Sequence, residues 1–301
     1  MSEHHHHHHH EVKGTRLFIT IILNVIITIA QIIGGIYSGS LALLSDALHN
    51  FSDVITLIVT YVTNRMARRS PTHTKTFGYK RAEILAAFFD AAILIGIGFY
   101  LIVEALQKFI NPEPVGTIIV IVLAMLSIVL NAASVLLIKE DAQHNINVRS
   151  AYLHLLTDVM TSVAVLIGGV AMYYFQFYWI DPLVSILIAV YLIYAAFAIL
   201  KESTGILMQF TPQHIDLAAI EKVANEHPEL HNIHHLHIWQ LNDHEIFLEA
   251  HIDFRENLSL EEVTRVCAAV EEKIKKSYDI THVTLQSEYQ KEDDKALVFG
   301  A

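Results

Sequence analysis

Six apolar stretches, each long enough to cross a membrane, constrain this chain more than any other feature of its sequence. Crossing a hydrocarbon core of roughly 30 Å takes about 20 helical residues. The stretches lie near residues 16–37, 41–64, 82–109, 115–138, 148–174 and 181–201. The composition agrees, because 53% of the 301 residues are hydrophobic and only 17% are charged. The sequence therefore predicts an α-helical membrane protein with six transmembrane helices.

Basic residues indicate the orientation of these helices. The connection between the second and third stretches contains Arg65, Arg68, Arg69, Lys75, Lys80 and Arg81. The loops on the opposite side contain no basic residue. Because Lys and Arg accumulate on the cytoplasmic side, we expect both the N- and C-termini to be cytoplasmic. The short loops favour a bacterial inner (plasma) membrane.

The composition changes near residue 210, where Pro212 ends the last apolar stretch. The pattern that follows predicts a helix at 213–227, strands at 232–241 and 245–254, a helix at 258–277 and a strand at 281–289. We expect a small cytoplasmic α+β domain with the order αββαβ. The predicted organisation is an N-terminal tail (1–15), a transmembrane domain (16–209), the cytoplasmic domain (210–290) and a flexible tail (291–301). The run His4–His10 is interpreted as an expression tag or a natural metal-collecting tail.

The charge and cysteine content exclude several kinds of function. A formal net charge of −11 argues against nucleic-acid binding, which needs a basic surface. Cys267 is the only cysteine, so the chain has neither an internal disulfide nor a Cys-rich zinc cluster. An acidic chain of this kind suits cations.

Two apolar stretches carry a histidine followed four positions later by an aspartate. The pairs are His49 and Asp53 in LLSDALHNFSDVIT, and His154 and Asp158 in YLHLLTDVM. Residues four apart share a helix face, and an aspartate at the centre of a span costs about 2.5 to 3.5 kcal/mol on insertion scales. If the two faces meet, two imidazoles and two carboxylates form a ligand set that suits tetrahedral Zn²⁺. The alternative is interhelical hydrogen bonding without a metal.

A second aspartate, Asp46, lies about one turn before His49 and Asn50 on the same face. It could act as a ligand, as a partner that orients an imidazole, or as a residue of the ion pathway. We assign Asp46 and Asn50 the supporting role.

These motifs resemble those of the cation diffusion facilitators, six-span transporters that export zinc and related divalent ions. The resemblance rests on SDALHNFSDV, TFGYKRAEILAA, AYLHLLTDVMTS, HHLHIWQL and HVTLQSE, and it covers nearly the whole chain after residue 15. It implies a homodimer in which each subunit exchanges cytoplasmic Zn²⁺ for external protons by alternating access. The implied transport ligands are His49, Asp53, His154 and Asp158. Histidine at the first position is associated in the family with zinc preference, whereas transport of Cd²⁺, Co²⁺ or Ni²⁺ stays open.

Proton exchange also follows from the chemistry of these ligands. A histidine must be deprotonated to bind metal, and its ordinary pKa near 6.5 lies in the working range. After zinc is released outside, the histidines can take up protons, and the site can carry these protons back to the inside.

The resemblance also covers the metal sites that some family members have outside the membrane. In the loop between the second and third spans, the positions that bind metal in some members are occupied here by Thr72, Lys75 and Tyr79. Only His73 could bind metal in this loop, so we expect no loop site.

In the metallochaperone-like cytoplasmic domain, the implied ligands are His234, His251 and Glu288, with Gln286 at a further ligand position and His282 as its substitute. Strand alternation places His235 and His237, possible additional ligands, on the face opposite His234. The alternative is a dimerisation domain with incidental histidines.

Three other functions compete with transport. A membrane zinc enzyme needs a general base such as the Glu of H-E-x-x-H, and this motif is absent. A haem protein is disfavoured because each paired histidine has an aspartate one turn away. A metal sensor that does not transport remains an alternative.

Overall fold

The computed structural model describes residues 14–139 and 146–298. Its N-terminal part contains six helices, α1 to α6: Gly14–Ser38, Leu41–Ala67, Ala82–Ile110, Thr117–Ile138, Ile146–Phe175 and Ile180–Leu207. In the described part of the chain, five of them, α2 to α6, contain a segment long and apolar enough to cross a membrane, and the corresponding stretch of α1, Ile22–Ser38, is shorter. The predicted class, a bundle of long apolar helices followed by a small α+β domain, is confirmed.

The described residues form two compact units. Those before Thr60, together with those between Phe89 and Ala198, form the first unit, and Thr60–Phe88 with those that follow Ala198 form the second.

The helices of the first unit expose large apolar side chains and bury polar ones. Ile26, Phe99 and Ile167 are more than half exposed, whereas Gln31 and Asp158 are fully buried. This distribution is expected where the surroundings are lipid, because a polar side chain there must find its partners inside the bundle.

The start of α2 is fixed by a carboxylate from α6. Asp181 accepts hydrogen bonds from the Ser40 hydroxyl (2.5 Å), from the Leu41 amide (2.7 Å) and from the Ala42 amide (3.3 Å). These amides belong to the first turn of α2, which has no intrahelical acceptor for them, and the carboxylate also suits the positive end of the helix dipole. Gly39, at φ +68°, makes the preceding turn. The cap therefore fixes the residue at which α2 begins.

The cytoplasmic domain contains a three-stranded sheet. The strands are β1 (Leu230–Asn242), β2 (Glu245–Phe254) and β3 (His282–Glu288), in the order β1-β2-β3. β2 is antiparallel to β1 and parallel to β3. Helices α7 (Leu217–Asn225) and α8 (Leu260–Tyr278) complete the predicted αββαβ order, and their apolar faces join the core through Ile220 and Ile274, which are fully buried.

An irregularity in β1 changes which side chains share a face. The β1–β2 register shifts between His234 and His237, and His235 has a φ of +49°. A bulge of this kind breaks the alternation of side chains along a strand. The prediction that His235 faces away from His234 is therefore wrong, since the imidazole centroids of the two residues lie 5.0 Å apart.

Residues 291–298 follow β3 and run beside β1. The Leu236 amide donates to the Leu297 carbonyl at 2.7 Å, and the His235 amide donates to the Ala296 carbonyl at 3.2 Å. The sequence suggested only a flexible tail here, and these contacts were not expected from it.

The connection between α2 and α3 contacts the hairpin formed by β1 and β2. The Lys80 ammonium donates to both oxygens of Glu245, at 2.6 and 2.7 Å, and the Phe77 ring lies 5.6 Å from that of Phe247. This connection belongs to the same compact unit as the sheet.

Candidate metal centres

The structure brings together the two His/Asp pairs of α2 and α5. The shortest approaches are between the helices: His154 Nε2 lies 3.1 Å from Asp53 Oδ2, and His49 Nε2 lies 3.4 Å from Asp158 Oδ1. The distances within each helix are longer, 3.8 Å for His49 to Asp53 and 3.9 Å for His154 to Asp158. One ligand atom from each residue lies within 4.8 Å of the other three.

These distances fit a single small ion at the centre of the four atoms. In a tetrahedral zinc site with bonds of about 2.0 to 2.1 Å, neighbouring ligand atoms are separated by roughly 3.3 Å. The four separations between a histidine nitrogen and an aspartate oxygen range from 3.1 to 3.9 Å, and this range includes that value.

The polar atoms of the cluster face one another and make no hydrogen bond to other groups in the described residues. Asp158 is fully buried, and neither of its carboxylate oxygens has a hydrogen-bond partner outside the cluster there. The same holds for both ring nitrogens of His49 and for Asp53 Oδ2. Buried polar atoms nearly always have a partner, so carboxylate and imidazole atoms that face only one another around one point indicate a ligand.

Access to the cluster is uneven. The His154 side chain is 42% exposed and that of Asp53 19%, whereas His49 and Asp158 are enclosed. His154 is therefore the most exposed of the four side chains.

Asp46 lies beside this cluster but joins a different network. It accepts hydrogen bonds from the side chains of Gln31 (2.6 Å), Thr161 (2.7 Å) and Ser162 (3.1 Å), and Asn50 donates to Gln31 at 3.0 Å. The network joins α1, α2 and α5, and Thr161 also donates to the Asp158 carbonyl at 3.0 Å. No hydrogen bond links Asp46 or Asn50 to the four clustered side chains in the described residues, and Thr161 connects Asp46 to the backbone of Asp158.

A second cluster of histidines lies in the cytoplasmic sheet. His234 is fully buried, and the rings of His234, His235 and His251 lie with centroids 4.8 to 5.3 Å apart. One ligand atom from each histidine and one from Asp293 lie within 4.8 Å of one another. Burial lowers the pKa of His234, and the nearby Lys295 ammonium lowers it further, so the ring stays neutral.

Glu288, which the resemblance implies as a ligand, also contacts this cluster. Its carboxylate lies 2.9 Å from His251 Nδ1 and 3.3 Å from His234 Nε2. Burial would raise its pKa, but hydrogen bonds from Lys291 and Gln286 hold the pKa below its usual value. The carboxylate is therefore ionised and already engaged by these two side chains.

Two predicted ligands lie elsewhere. His282 begins β3 opposite Phe247, whereas His251 pairs with Gln286, four residues further along that strand, roughly 13 Å away at about 3.3 Å per residue. His282 therefore cannot replace Gln286 as a ligand, and its ring contacts Phe247 instead. His237 lies opposite Glu249, beyond the irregularity in β1, and is not part of the cluster in the described ranges 14–139 and 146–298.

Sequence reasoning missed several residues that the structure places at or beside the two clusters. Asp293 belongs to a segment that was read as a mobile tail, and no local pattern shows that this segment returns to β1. Thr161 and Ser162 follow Asp158 by three and four positions, so helical spacing alone was a usable signal for them.

Comparison with known proteins agrees with both parts of the structure. The family model of the cation efflux transmembrane domain matches residues 17–208, and that of the cation efflux protein cytoplasmic domain matches residues 212–290.

Curated relatives cover most of the chain. A cadmium, cobalt and zinc/H⁺-K⁺ antiporter of Bacillus subtilis is 37% identical over 262 residues, 86% of this chain and 84% of the relative. The zinc transporter ZitB of Pectobacterium atrosepticum is 36% identical over 285 residues, 94% of this chain and 88% of the relative. The metal cation efflux system protein CzcD of Cupriavidus metallidurans is 32% identical over 262 residues, 86% and 82% of the two chains. The chain therefore belongs to the cation efflux family, the cation diffusion facilitators, and is a membrane transporter of divalent cations and not an enzyme.

Proposed function

We propose that this chain is a Zn²⁺/H⁺ antiporter that exports cytoplasmic zinc by alternating access through the site formed by His49, Asp53, His154 and Asp158. The observation that carries the proposal is the convergence of these four side chains, with ligand atoms within 4.8 Å of one another and several buried atoms without a hydrogen bond outside the cluster in the described residues. Two nitrogens and two oxygens are a suitable donor set for tetrahedral zinc.

The charge of the site explains why a dication would be bound and why protons would replace it. The two carboxylates give the site without zinc a formal charge of two negative charges inside the bundle. Zn²⁺ neutralises them, and after its release protons on the histidines do the same, because each imidazole lies within 4 Å of both carboxylates. Since a protonated imidazole cannot bind metal, zinc and protons exclude each other from the same nitrogens.

Asp46 supports this site indirectly in the proposal. Its hydrogen bonds from Gln31, Thr161 and Ser162 hold α1 and α5 against α2, and Thr161 also contacts the carbonyl of Asp158. The proposed role of Asp46 and Asn50 is thus to fix the separation of the two ligand-bearing helices.

For the cytoplasmic domain we propose metal-dependent control of transport. The three clustered histidines would bind cytoplasmic zinc, and the bound metal would favour one arrangement of a homodimer. Such an effect is limited to the difference in metal affinity between the two arrangements. The match to the cytoplasmic domain of the family supports a dimer.

The proposed location is a bacterial inner membrane with both termini in the cytoplasm. Relatives from Bacillus and Cupriavidus support the bacterial setting, and the basic connection between α2 and α3 supports the orientation. The name of the Bacillus subtilis relative includes cadmium and cobalt, so Cd²⁺ and Co²⁺ are the first further ions to test.

The proposed function is tested by zinc flux into proteoliposomes. His49→Ala and Asp158→Asn should abolish flux while the variants remain folded and monodisperse. The matched control is His73→Ala, which removes a histidine from the exposed connection between α2 and α3 and should leave flux unchanged. Removing His4–His10 from every variant prevents the run from binding the same ion.

Other outcomes would favour the competing functions. If the wild-type chain bound zinc at the membrane site but carried none across, it would be a sensor. If flux persisted in both His49→Ala and Asp158→Asn, the four-residue site would not be the transport site.

A further inference from the structure

A lysine from the C-terminal segment occupies the cytoplasmic histidine cluster. Lys295 Nζ lies 3.4 Å from His234 Nε2, 2.8 Å from Asp253 and 3.5 Å from Glu288, and it also donates to Asp293. A metal ion bound to His234 would need this same nitrogen at about 2.0 to 2.1 Å. The Lys295 ammonium therefore lies close to the position that a metal ion bound to His234 would occupy.

The segment that carries Lys295 is held against the cluster. The hydrogen bonds from the His235 and Leu236 amides to Ala296 and Leu297 fix the chain immediately after the lysine. On its other side, Lys291 contacts Glu288 and Asp293. The position of the ammonium is thus set by backbone contacts and not by the ion pairs alone.

Asp293 on the same segment supplies a carboxylate that completes a ligand set. Its Oδ2 lies 3.7 Å from His234 Nε2, and it belongs to the four-residue group with His235 and His251. Three imidazoles and one carboxylate can coordinate zinc or cobalt. The C-terminal segment therefore brings both a ligand and a competing cation to one place.

We propose that Lys295 is a built-in competitor for the cytoplasmic metal site: its ammonium holds the acidic cluster together when metal is scarce, and a divalent ion bound by His234, His235, His251 and Asp293 displaces it. This rests on the proposal above that the cytoplasmic histidines bind metal. It adds Asp293 as a ligand and Lys295 as a competitor, which together set the metal concentration at which the domain responds.

The charges at the site explain the exchange. Asp253, Glu288 and Asp293 place three carboxylates around His234, and Lys291 and Lys295 place two ammonium groups there. Without metal, one negative charge is left over. With a dication in the site and Lys295 withdrawn, the remaining charges balance, whereas a dication beside a retained Lys295 would put like charges in contact. Metal and ammonium therefore exclude each other.

The experiment measures Zn²⁺ affinity and the chemical exposure of Lys295 in the full chain in detergent. All variants lack His4–His10 and carry His49→Ala, so that the ion measured is not bound by the run or by the membrane site. His251→Ala identifies the cytoplasmic cluster as the site by removing the binding. Lys295→Gln is compared with Lys291→Gln, which removes the same charge from Glu288 and Asp293, and for which no contact with a histidine is described.

We expect Lys295→Gln to tighten Zn²⁺ binding at least tenfold, and Lys291→Gln to change it by less than threefold. Asp293→Asn should weaken binding at least tenfold. In the protein that keeps both lysines, Zn²⁺ should raise the acetylation rate of Lys295 several-fold and leave that of Lys291 unchanged. The acetylation rates are measured by mass spectrometry.

Three results would overturn the inference. Equal effects of the two lysine substitutions would mean that only the total charge matters. An unchanged acetylation rate of Lys295 on zinc binding would mean that the lysine is not displaced. If no variant bound zinc at this cluster, the cytoplasmic metal site itself would be refuted together with the switch, and zinc flux through the membrane site would not be affected by that result.

Discussion

Replacing Asp46 with asparagine distinguishes a residue that holds the helices from a residue that binds the metal. Asp46 is fully buried and accepts hydrogen bonds from Gln31, Thr161 and Ser162. Asn has nearly the same shape, but one of its two acceptor oxygens becomes an NH₂ donor. Gln31 and Ser162 both donate to Oδ2, so the Asn oxygen can take that position while the NH₂ faces the Thr161 hydroxyl at the Oδ1 position, and no cavity forms.

The cost follows from what each donor can do instead. Thr161 also donates to the Asp158 carbonyl, and the Ser162 hydroxyl lies 2.8 Å from that of Ser127, so both hydroxyls keep a partner. Gln31 Nε2 keeps the amide oxygen at the Oδ2 position as its acceptor. A hydrogen bond to a charged group contributes about 1.5 to 3 kcal/mol, whereas one between neutral groups contributes about 0.5 to 1.5 kcal/mol. We expect Asp46→Asn to lower the free energy of unfolding by about 1 to 2 kcal/mol, because the bonds from Gln31 and Ser162 then end on a neutral oxygen.

The assay is reversible unfolding of the metal-free chain in detergent, because bound zinc would add its own stabilisation. Asp90→Asn is the matched control, since Asp90 accepts from Ser52 (3.2 Å) and Thr56 (2.8 Å) in a half-buried position, and we expect it to cost less than about 1 kcal/mol. At saturating zinc, Asp46→Asn should keep the wild-type number of bound ions. Loss of the membrane-site ion with unchanged stability would refute the reasoning and make Asp46 a ligand.

Three further substitutions test how the elements that carry the sites are held. Asp181→Asn should lower the free energy of unfolding by about 1 to 2 kcal/mol, because it weakens the cap of α2, and an unchanged melting temperature of the metal-free chain would contradict the cap. Gly39→Ala should cost about 1 kcal/mol in the same assay; at φ +68° the strain is in the backbone, and an added Cβ meets no atom within 4 Å, so a much larger loss would point to packing instead. Ser259→Ala removes the capping box at the start of α8 and should cost about 1 kcal/mol, read as faster amide exchange at Glu262, whereas unchanged exchange would argue against the box.

Residue spacing was sufficient for the membrane site because a helix has a fixed period. His49 and Asp53, and His154 and Asp158, are each one turn apart, so the sequence alone placed each pair on one face. Burying a carboxylate in a transmembrane helix costs free energy unless it has partners, so the sequence favoured an arrangement in which the two His/Asp faces lie against each other. The apolar stretches also predicted the number and approximate positions of the long helices, because crossing the membrane sets a minimum length, but α6 continues to Leu207, beyond the predicted end at 201.

The cytoplasmic site was less predictable because its geometry depends on contacts that are distant in sequence. The strand period predicted opposite faces for His234 and His235, but the irregularity at His235 brings the two rings together. No local pattern shows where an irregularity of this kind falls. Asp293 and Lys295 reach the cluster only because the segment after β3 hydrogen-bonds to β1, and their acidic and basic surroundings looked like those of a solvated tail.

Coupled recording of zinc and protons tests the proposed mechanism most directly. Proteoliposomes containing the chain without His4–His10 are given external zinc under an acid-inside pH gradient, with one dye for luminal zinc and one for luminal pH. The account predicts that the gradient accelerates zinc entry, that the luminal pH rises as zinc enters, and that both signals vanish in His154→Ala. Zinc entry at the same rate after a protonophore has collapsed the gradient, with no change in luminal pH, would contradict proton exchange at these histidines.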